Sequence, residues 1–156
     1  MPAYRVIALA QEVADADRAT RLSPFSSHPT HVEIARGHGP CRLCLHAFTV
    51  GQDRRILFTF DPFAGLEPLP LPGPVFIHEA ACARHAEDAG FPEDIRTRQL
   101  TIQGYGAKRR LVVEEHLQDE DVDVAIDRLL KRAEVLYLHV RDTAAGCYDF
   151  RIERAA

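Results

Sequence analysis

Apolar residues recur along the chain in two periods, and the change from one to the other marks out the expected elements. Tyr4 to Ala10, His31 to Ala35, Arg54 to Phe60, Val75 to His78, Leu100 to Gln103 and Leu111 to His116 are short runs rich in β-branched and aromatic residues, which predicts strands. Cys41 to Val50 is mostly apolar and is expected to pair with Arg54 to Phe60 in a hairpin turning at residues 51 to 53. Over Val122 to Ala133 the spacing becomes helical, because Val122, Ala125, Ile126, Leu129, Leu130 and Ala133 fall three or four apart. Asp119, Asp121 and Asp123 at its start and Lys131-Arg132 in its last turn suit the helix dipole at both ends. A second, alanine-rich helix is expected over Glu79 to Ala89, closed by Gly90 with Pro92 beyond, whereas Gln11 to Thr20 is only weakly helical.

The most legible feature is the closing hairpin: Val135 to Arg141, a turn at Asp142 to Gly146, and Cys147 to Glu153. Its alternation puts Leu136, Leu138, Val140, Tyr148, Phe150 and Ile152 on a core face. Together these elements predict an α+β fold, a mostly antiparallel sheet with two main helices, 79 to 89 and 121 to 133, packed mostly on one side. Pro68, Pro70, Pro72 and Pro74 predict a stiff crossover rather than a boundary, so residues 1–156 read as a single domain.

Composition narrows the setting. With 156 residues, 46% hydrophobic and 27% charged, the chain can bury a core without covalent staples. The net charge is −4 and the basic residues are scattered, which leaves no stripe to track phosphates and argues against nucleic acid as a partner. The apolar run Val6 to Ala10 is too short for a signal peptide and no window approaches a membrane span, so the expectation is a cytoplasmic protein without a membrane partner. The sequence is silent on oligomeric state. In a reducing compartment four cysteines point to metal ligation, catalysis or plain burial before disulfides.

The first chemical constellation is Cys41-x-x-Cys44 followed by His78-x-x-x-Cys82-x-x-His85. A two-residue spacing lets both thiolates reach one tetrahedral ion, and on a helix Cys82 and His85 would share a face. That gives a closed Cys3His zinc site of Cys41, Cys44, Cys82 and His85, with His78 or His46 spare. Two other readings stand beside it. If Cys41 to Val50 is extended, Cys41 and Cys44 point to opposite faces and are buried inert thiols; otherwise they form a redox or nucleophilic pair.

The second constellation is the outer face of the closing hairpin. Tyr137, His139 and Arg141 alternate onto one face of the first strand, and Cys147, Asp149 and Arg151 onto one face of the second. Side by side, His139, Arg141, Cys147, Asp149 and Arg151 would hold a small anionic ligand through the guanidinium groups, with His139 as proton donor or acceptor. The plainer reading is a solvated sheet face with cross-strand charge pairs. In the enzyme version His139, flanked by Arg141 and Asp149, works on a small acid, with a cysteine at 41, 44 or 147 as candidate nucleophile. A third function class is a protein interaction module built on the proline-rich 66–74 segment, with Leu66, Leu69 and Leu71 exposed together. The chain carries no Gly-x-Ser-x-Gly elbow, phosphate-binding loop or His-Glu-x-x-His motif.

Read in order, Pro40-Cys-Arg-Leu-Cys-Leu45, Phe60-Asp-Pro-Phe63, Gly73-Pro-Val-Phe-Ile-His78, Gly104-Tyr105 and His139-Val-Arg-Asp-Thr-Ala-Ala-Gly-Cys147 resemble the bacterial family of domain of unknown function 1203. The resemblance spans about residues 31–154. It implies one domain in a bacterial cytosolic setting, with the cysteine knuckle and the final hairpin in one fold. No catalytic residue, cofactor or substrate comes with it, because none is assigned in the family.

Overall fold

The alternating runs of the sequence pair into two antiparallel sheets in a computed structural model that describes residues 3–24, 26–64 and 73–156. In chain order the elements are β1 (Tyr4–Ile7), α1 (Gln11–Thr20), β2 (His31–Ile34), β3 (Arg54–Phe60), β4 (Gly73–His78), α2 (Glu93–Arg96), β5 (Leu100–Tyr105), β6 (Leu111–Leu117), α3 (Val122–Leu130), β7 (Tyr137–Asp142) and β8 (Tyr148–Arg154). The expected α+β class, mostly antiparallel, is what the chain adopts. The described residues group into two compact units: the first strand up to Ile7 with Ala86–Ala156, and Ala8–His85.

The first unit is a five-stranded sheet in the order β1-β8-β7-β5-β6. The closing hairpin forms, and its register puts Leu138 beside Ile152 and Val140 beside Phe150, all four fully buried, whereas Leu136, expected on the core face, precedes β7 and is 52% exposed. Helix α3 presents Val122, Ala125, Ile126, Leu129 and Leu130 as its buried stripe. Its N-terminus is capped by Asp121, whose carboxylate accepts from the backbone N–H of Asp123 (2.8 Å) and Val124 (3.3 Å), which satisfies donors that a helix start leaves open. Polar ties join α3 to strands of this sheet: the Tyr4 hydroxyl to Asp123, Arg128 to Glu115, and Arg154 to the carbonyl of Leu130.

The second unit is a three-stranded sheet, β2-β3-β4, with α1 and the cysteine-bearing turn. Its core gathers Leu9, Ala14, Ala35, Leu43, Phe48, Ile56, Phe58, Val75 and Ile77 around Cys41 and Cys44. Arg55 is buried among these apolar groups because it is fully engaged. Its guanidinium meets Glu33 at 2.7 Å and lies over the Phe76 ring at 3.7 Å.

Two expected elements are corrected. Residues 79–89 hold no helix, and the second substantial helix is α1. Alanine content favours helix only weakly, and here the backbone is committed elsewhere. The carbonyl of Ala80 accepts from Arg18 (3.1 Å), the Glu79 N–H donates to the carbonyl of Arg54 (3.0 Å), and the His85 N–H donates to the carbonyl of Leu43 (2.9 Å). Cys41 to Val50 is likewise no strand: β3 pairs with β2 and β4 instead, and residues 41–44 close a tight turn. Of the proline-rich 66–74 segment only Gly73 and Pro74, in β4, are among the described residues; Leu66, Leu69 and Leu71 lie outside them.

Candidate metal centre

The turn at Cys41 is what makes a chelating geometry available. Pro40 and Ala47 bridge across its base, the Leu45 N–H donates to the Cys41 carbonyl (2.8 Å), and the Cys41 N–H donates to the His46 carbonyl (2.9 Å). Leu45, next after the second cysteine, has φ +59°, a left-handed conformation that a branched residue adopts only when its surroundings enforce it. Burial of its side chain, 1% exposed, holds it there. The loop curls so that both thiols point to one side, which an extended strand would forbid.

Strand β4 supplies the second half. It ends at His78, whose N–H donates to the Cys41 sulfur (3.2 Å), and the chain then turns so that Cys82 returns to within 3.8 Å of Cys41, sulfur to sulfur. The Cys44 sulfur lies 3.4 Å from His78 Nδ1. Ligand atoms of Cys41, Cys44, His78 and Cys82 all lie within 4.8 Å of one another.

These separations match what one tetrahedral ion asks for. With metal–sulfur bonds of about 2.3 Å, two sulfurs sit about 3.8 Å apart, and a sulfur and a nitrogen somewhat closer. The four residues could therefore coordinate a metal. Their outer contacts support the same assignment. His78 turns Nδ1 to the thiols and Nε2 to the Asp53 carboxylate at 3.5 Å, and that carboxylate accepts the Thr49 N–H at 2.7 Å. A carboxylate behind a ligating imidazole fixes its tautomer and ring orientation. The Phe48 ring meets the His78 ring edge-on at 4.6 Å. From α1, Arg18 donates to the carbonyls of His78 and Ala80 and reaches the Cys82 sulfur at 3.5 Å. A guanidinium beside three thiolates offsets the charge they carry.

Electrostatics inside the cluster ionise one thiol at the expense of its neighbour. Hydrogen bonds from the thiols of Cys44 and Cys82, then from His78, hold the Cys41 thiol far below its ordinary range despite burial. Hydrogen bonds with Cys41 and then Cys82, together with burial, push Cys44 up. Hydrogen bonding to Cys41 and then Cys82 raises His78 to about 10.

Of the four residues that the spacing proposed, Cys41, Cys44 and Cys82 come together, and the histidine among them is His78. His85 is not in the cluster, because the helix that would have put it on one face with Cys82 does not form. His46 contributes its backbone carbonyl to the turn. Asp53 and Arg18 carry no sequence signal for this role; His78 stood in the cysteine and histidine constellation, but as a spare beside His85.

The hairpin constellation is arranged differently from its expectation. His139 and Arg151 do sit opposite each other across β7 and β8, but a bulge between Val140 and Arg141 places Tyr148 across from Arg141. Asp149 is 1% exposed and His139 is fully buried. The His139 ring is surrounded by Tyr105 (5.0 Å), Tyr148 (5.0 Å) and Tyr137 (5.3 Å). Burial first, then the charges of Arg141 and Arg151, lower its pKa to about 3, so it is a neutral interior group. Cys147 sits in the turn with its sulfur 3.8 Å from the Ala145 carbonyl, and Arg141 donates to Gln103 Oε1 at 2.7 Å. The five residues therefore do not line one open surface.

Among the described residues no helix is long and apolar enough to cross a membrane. The model of a family described as "Protein of unknown function (DUF1203)" matches residues 38–154. No curated protein and no solved structure matches the chain. The matched span contains all four clustered residues and Asp53, whereas Arg18 precedes it.

Proposed function

The chain belongs to the DUF1203 family, and we propose that it is a metal-binding protein that holds one structural zinc ion at Cys41, Cys44, His78 and Cys82. The observation that carries this reading is the convergence of four donor atoms within 4.8 Å from three separate segments: the turn, the end of β4 and the loop beyond it. Thiolate and imidazole donors suit zinc, whereas calcium and magnesium take oxygen ligands. Four protein ligands close a tetrahedral shell, and closed shells are the structural class. When bound, the ion ties these segments together as a cross-link.

The chain's own residues do the rest. Asp53 orients the His78 imidazole, Phe48 packs against its ring, and Arg18 fixes the loop from His78 to Cys82 while balancing thiolate charge. The test is elemental analysis of the purified full chain. One zinc per chain is expected in the wild type and in His85→Ala, and well under one in Cys82→Ser and His78→Ala. Retention of metal by His78→Ala with loss in His85→Ala would overturn this ligand set.

A further inference from the structure

Beyond the metal centre, the five-stranded sheet carries a second polar site that the hairpin pattern only grazed. We propose that the pocket where β5, β6 and β7 lie side by side binds a small 2-hydroxy carboxylate, with Arg141 as the carboxylate anchor and Thr101, oriented by His116, as the acceptor of the hydroxyl. The site lies in the unit without the cysteine cluster, so the proposal stands apart from the zinc reading.

The register builds the site. Thr101 on β5 is paired with His116 on β6 and with Arg141 on β7, so three polar side chains form one row across the sheet. The next row, two residues along, sets Glu114 beside Gln103. Together with Thr143 these six residues line a pocket of about 320 Å³, which suits a ligand of a few heavy atoms.

The hydrogen bonds of the pocket have a direction. His116 Nε2 faces Glu114 Oε1 at 3.6 Å, which favours the proton on Nε2 and leaves Nδ1 as an acceptor. The Thr101 hydroxyl lies 2.8 Å from that Nδ1, and with this tautomer it is the donor. Its oxygen keeps acceptor capacity, with the Thr143 hydroxyl 3.0 Å away. Thr101 is 6% exposed, so this hydroxyl is held in place rather than floating on the surface. A ligand hydroxyl donating to Thr101 would extend the chain from Glu114 through His116.

Arg141 is held as firmly. Its Nε donates to Gln103 Oε1 (2.7 Å) and its Nη1 to the Gly146 carbonyl (3.3 Å), while Gln103 in turn donates to Glu114 (2.5 Å). These bonds use two corners of the guanidinium fork, and the Tyr105 hydroxyl is a further partner of the group. A planar cation fixed in this way, one strand from an oriented hydroxyl, matches a carboxylate with a hydroxyl on the adjacent carbon. The acids at the pocket have protein partners: Glu114 has Gln103 and His116, and Asp142 has the Ala145 N–H.

The experiment is an NMR titration of the metal-replete full chain, following the His116 imidazole, with lactate, propionate and glycerol as probes. Lactate is expected to shift His116 and to bind about tenfold more tightly than propionate, which lacks the hydroxyl, and than glycerol, which lacks the carboxylate. Arg141→Gln should remove binding of both acids. Thr101→Val, which keeps the shape of the side chain, should bring lactate down to the level of propionate. Equal binding of lactate and propionate by the wild type, or no response of His116 to lactate, would overturn the proposal without touching the zinc reading. So would unchanged lactate affinity in Arg141→Gln.

Discussion

Two histidines, one on each sheet, show how far surroundings divide one residue type. His78 ends β4 among three thiols, and His139 lies within β7 among three tyrosines. Sulfur contacts raise the first to about 10, whereas burial lowers the second to about 3. The difference is one of burial as well as charge supply. Thiolates and the Asp53 carboxylate favour a ring nitrogen with a cation beside it, so His78 suits a metal. His139 is fully buried, the charges of Arg141 and Arg151 act on it in the same direction, and it stays a neutral packing group. A histidine of polar neighbours in sequence is therefore not yet a site; burial and the sign of the charges that the fold brings to it decide.

The largest effect that can break this comparison is loss of the ion. Stripping the metal with a chelator is expected to cost the Ala8–His85 unit at least about 5 kcal/mol, since binding energy at a structural site is folding energy. Hydrogen exchange should then show protection collapsing in β2, β3 and β4 while the five-stranded sheet keeps its own. Equal loss in both units would erase the distinction.

His139 sets the next effect. Its folded pKa of about 3 lies below the ordinary 6.5, so the unfolded chain binds the extra proton first as pH falls. Stability is complete above pH 6.5 and is lost between there and about pH 3, by about 5 kcal/mol. Denaturant titrations across that window should show a slope in the wild type that shrinks in His139→Asn.

Asp17 gives the opposite sign within the metal-bearing unit. It is fully buried, neither carboxylate oxygen has a hydrogen-bond partner among the described residues, and burial raises its pKa to about 6 despite Arg21 and Arg18. Stability from the protonated form is fully present below pH 3.8 and is lost as pH rises through about 6. Asp17→Asn should therefore gain about 3 kcal/mol over wild type at pH 7 and nothing at pH 3.5 by the same titrations. A smaller effect sharpens the account of His78. Asp53→Asn and Arg18→Met should each weaken zinc by about tenfold in chelator competition, with the ligand set unchanged.

The sequence made part of this legible. Alternation over the closing hairpin and helical spacing over α3 are local signals, and both elements form where they point. The three clustering cysteines were also readable, because a two-residue spacing is itself a geometric statement. What failed depended on distant partners. The alanine-rich segment 79–89 reads as helix, yet Arg18, Arg54 and Leu43 claim its backbone, and with the helix goes the case for His85. Alternation placed Asp149 beside Arg141, but one bulge substitutes Tyr148, and no local pattern announces a bulge. The Thr101 and His116 pair joins two strands whose register is set by the whole sheet, so neither residue stands out alone.

The central claim is tested most directly by X-ray absorption at the zinc edge on the purified protein. Three sulfurs at about 2.3 Å and one nitrogen at about 2.0 Å are predicted. A first shell with two or fewer sulfurs, or one with oxygen ligands, would contradict a closed centre of Cys41, Cys44, His78 and Cys82.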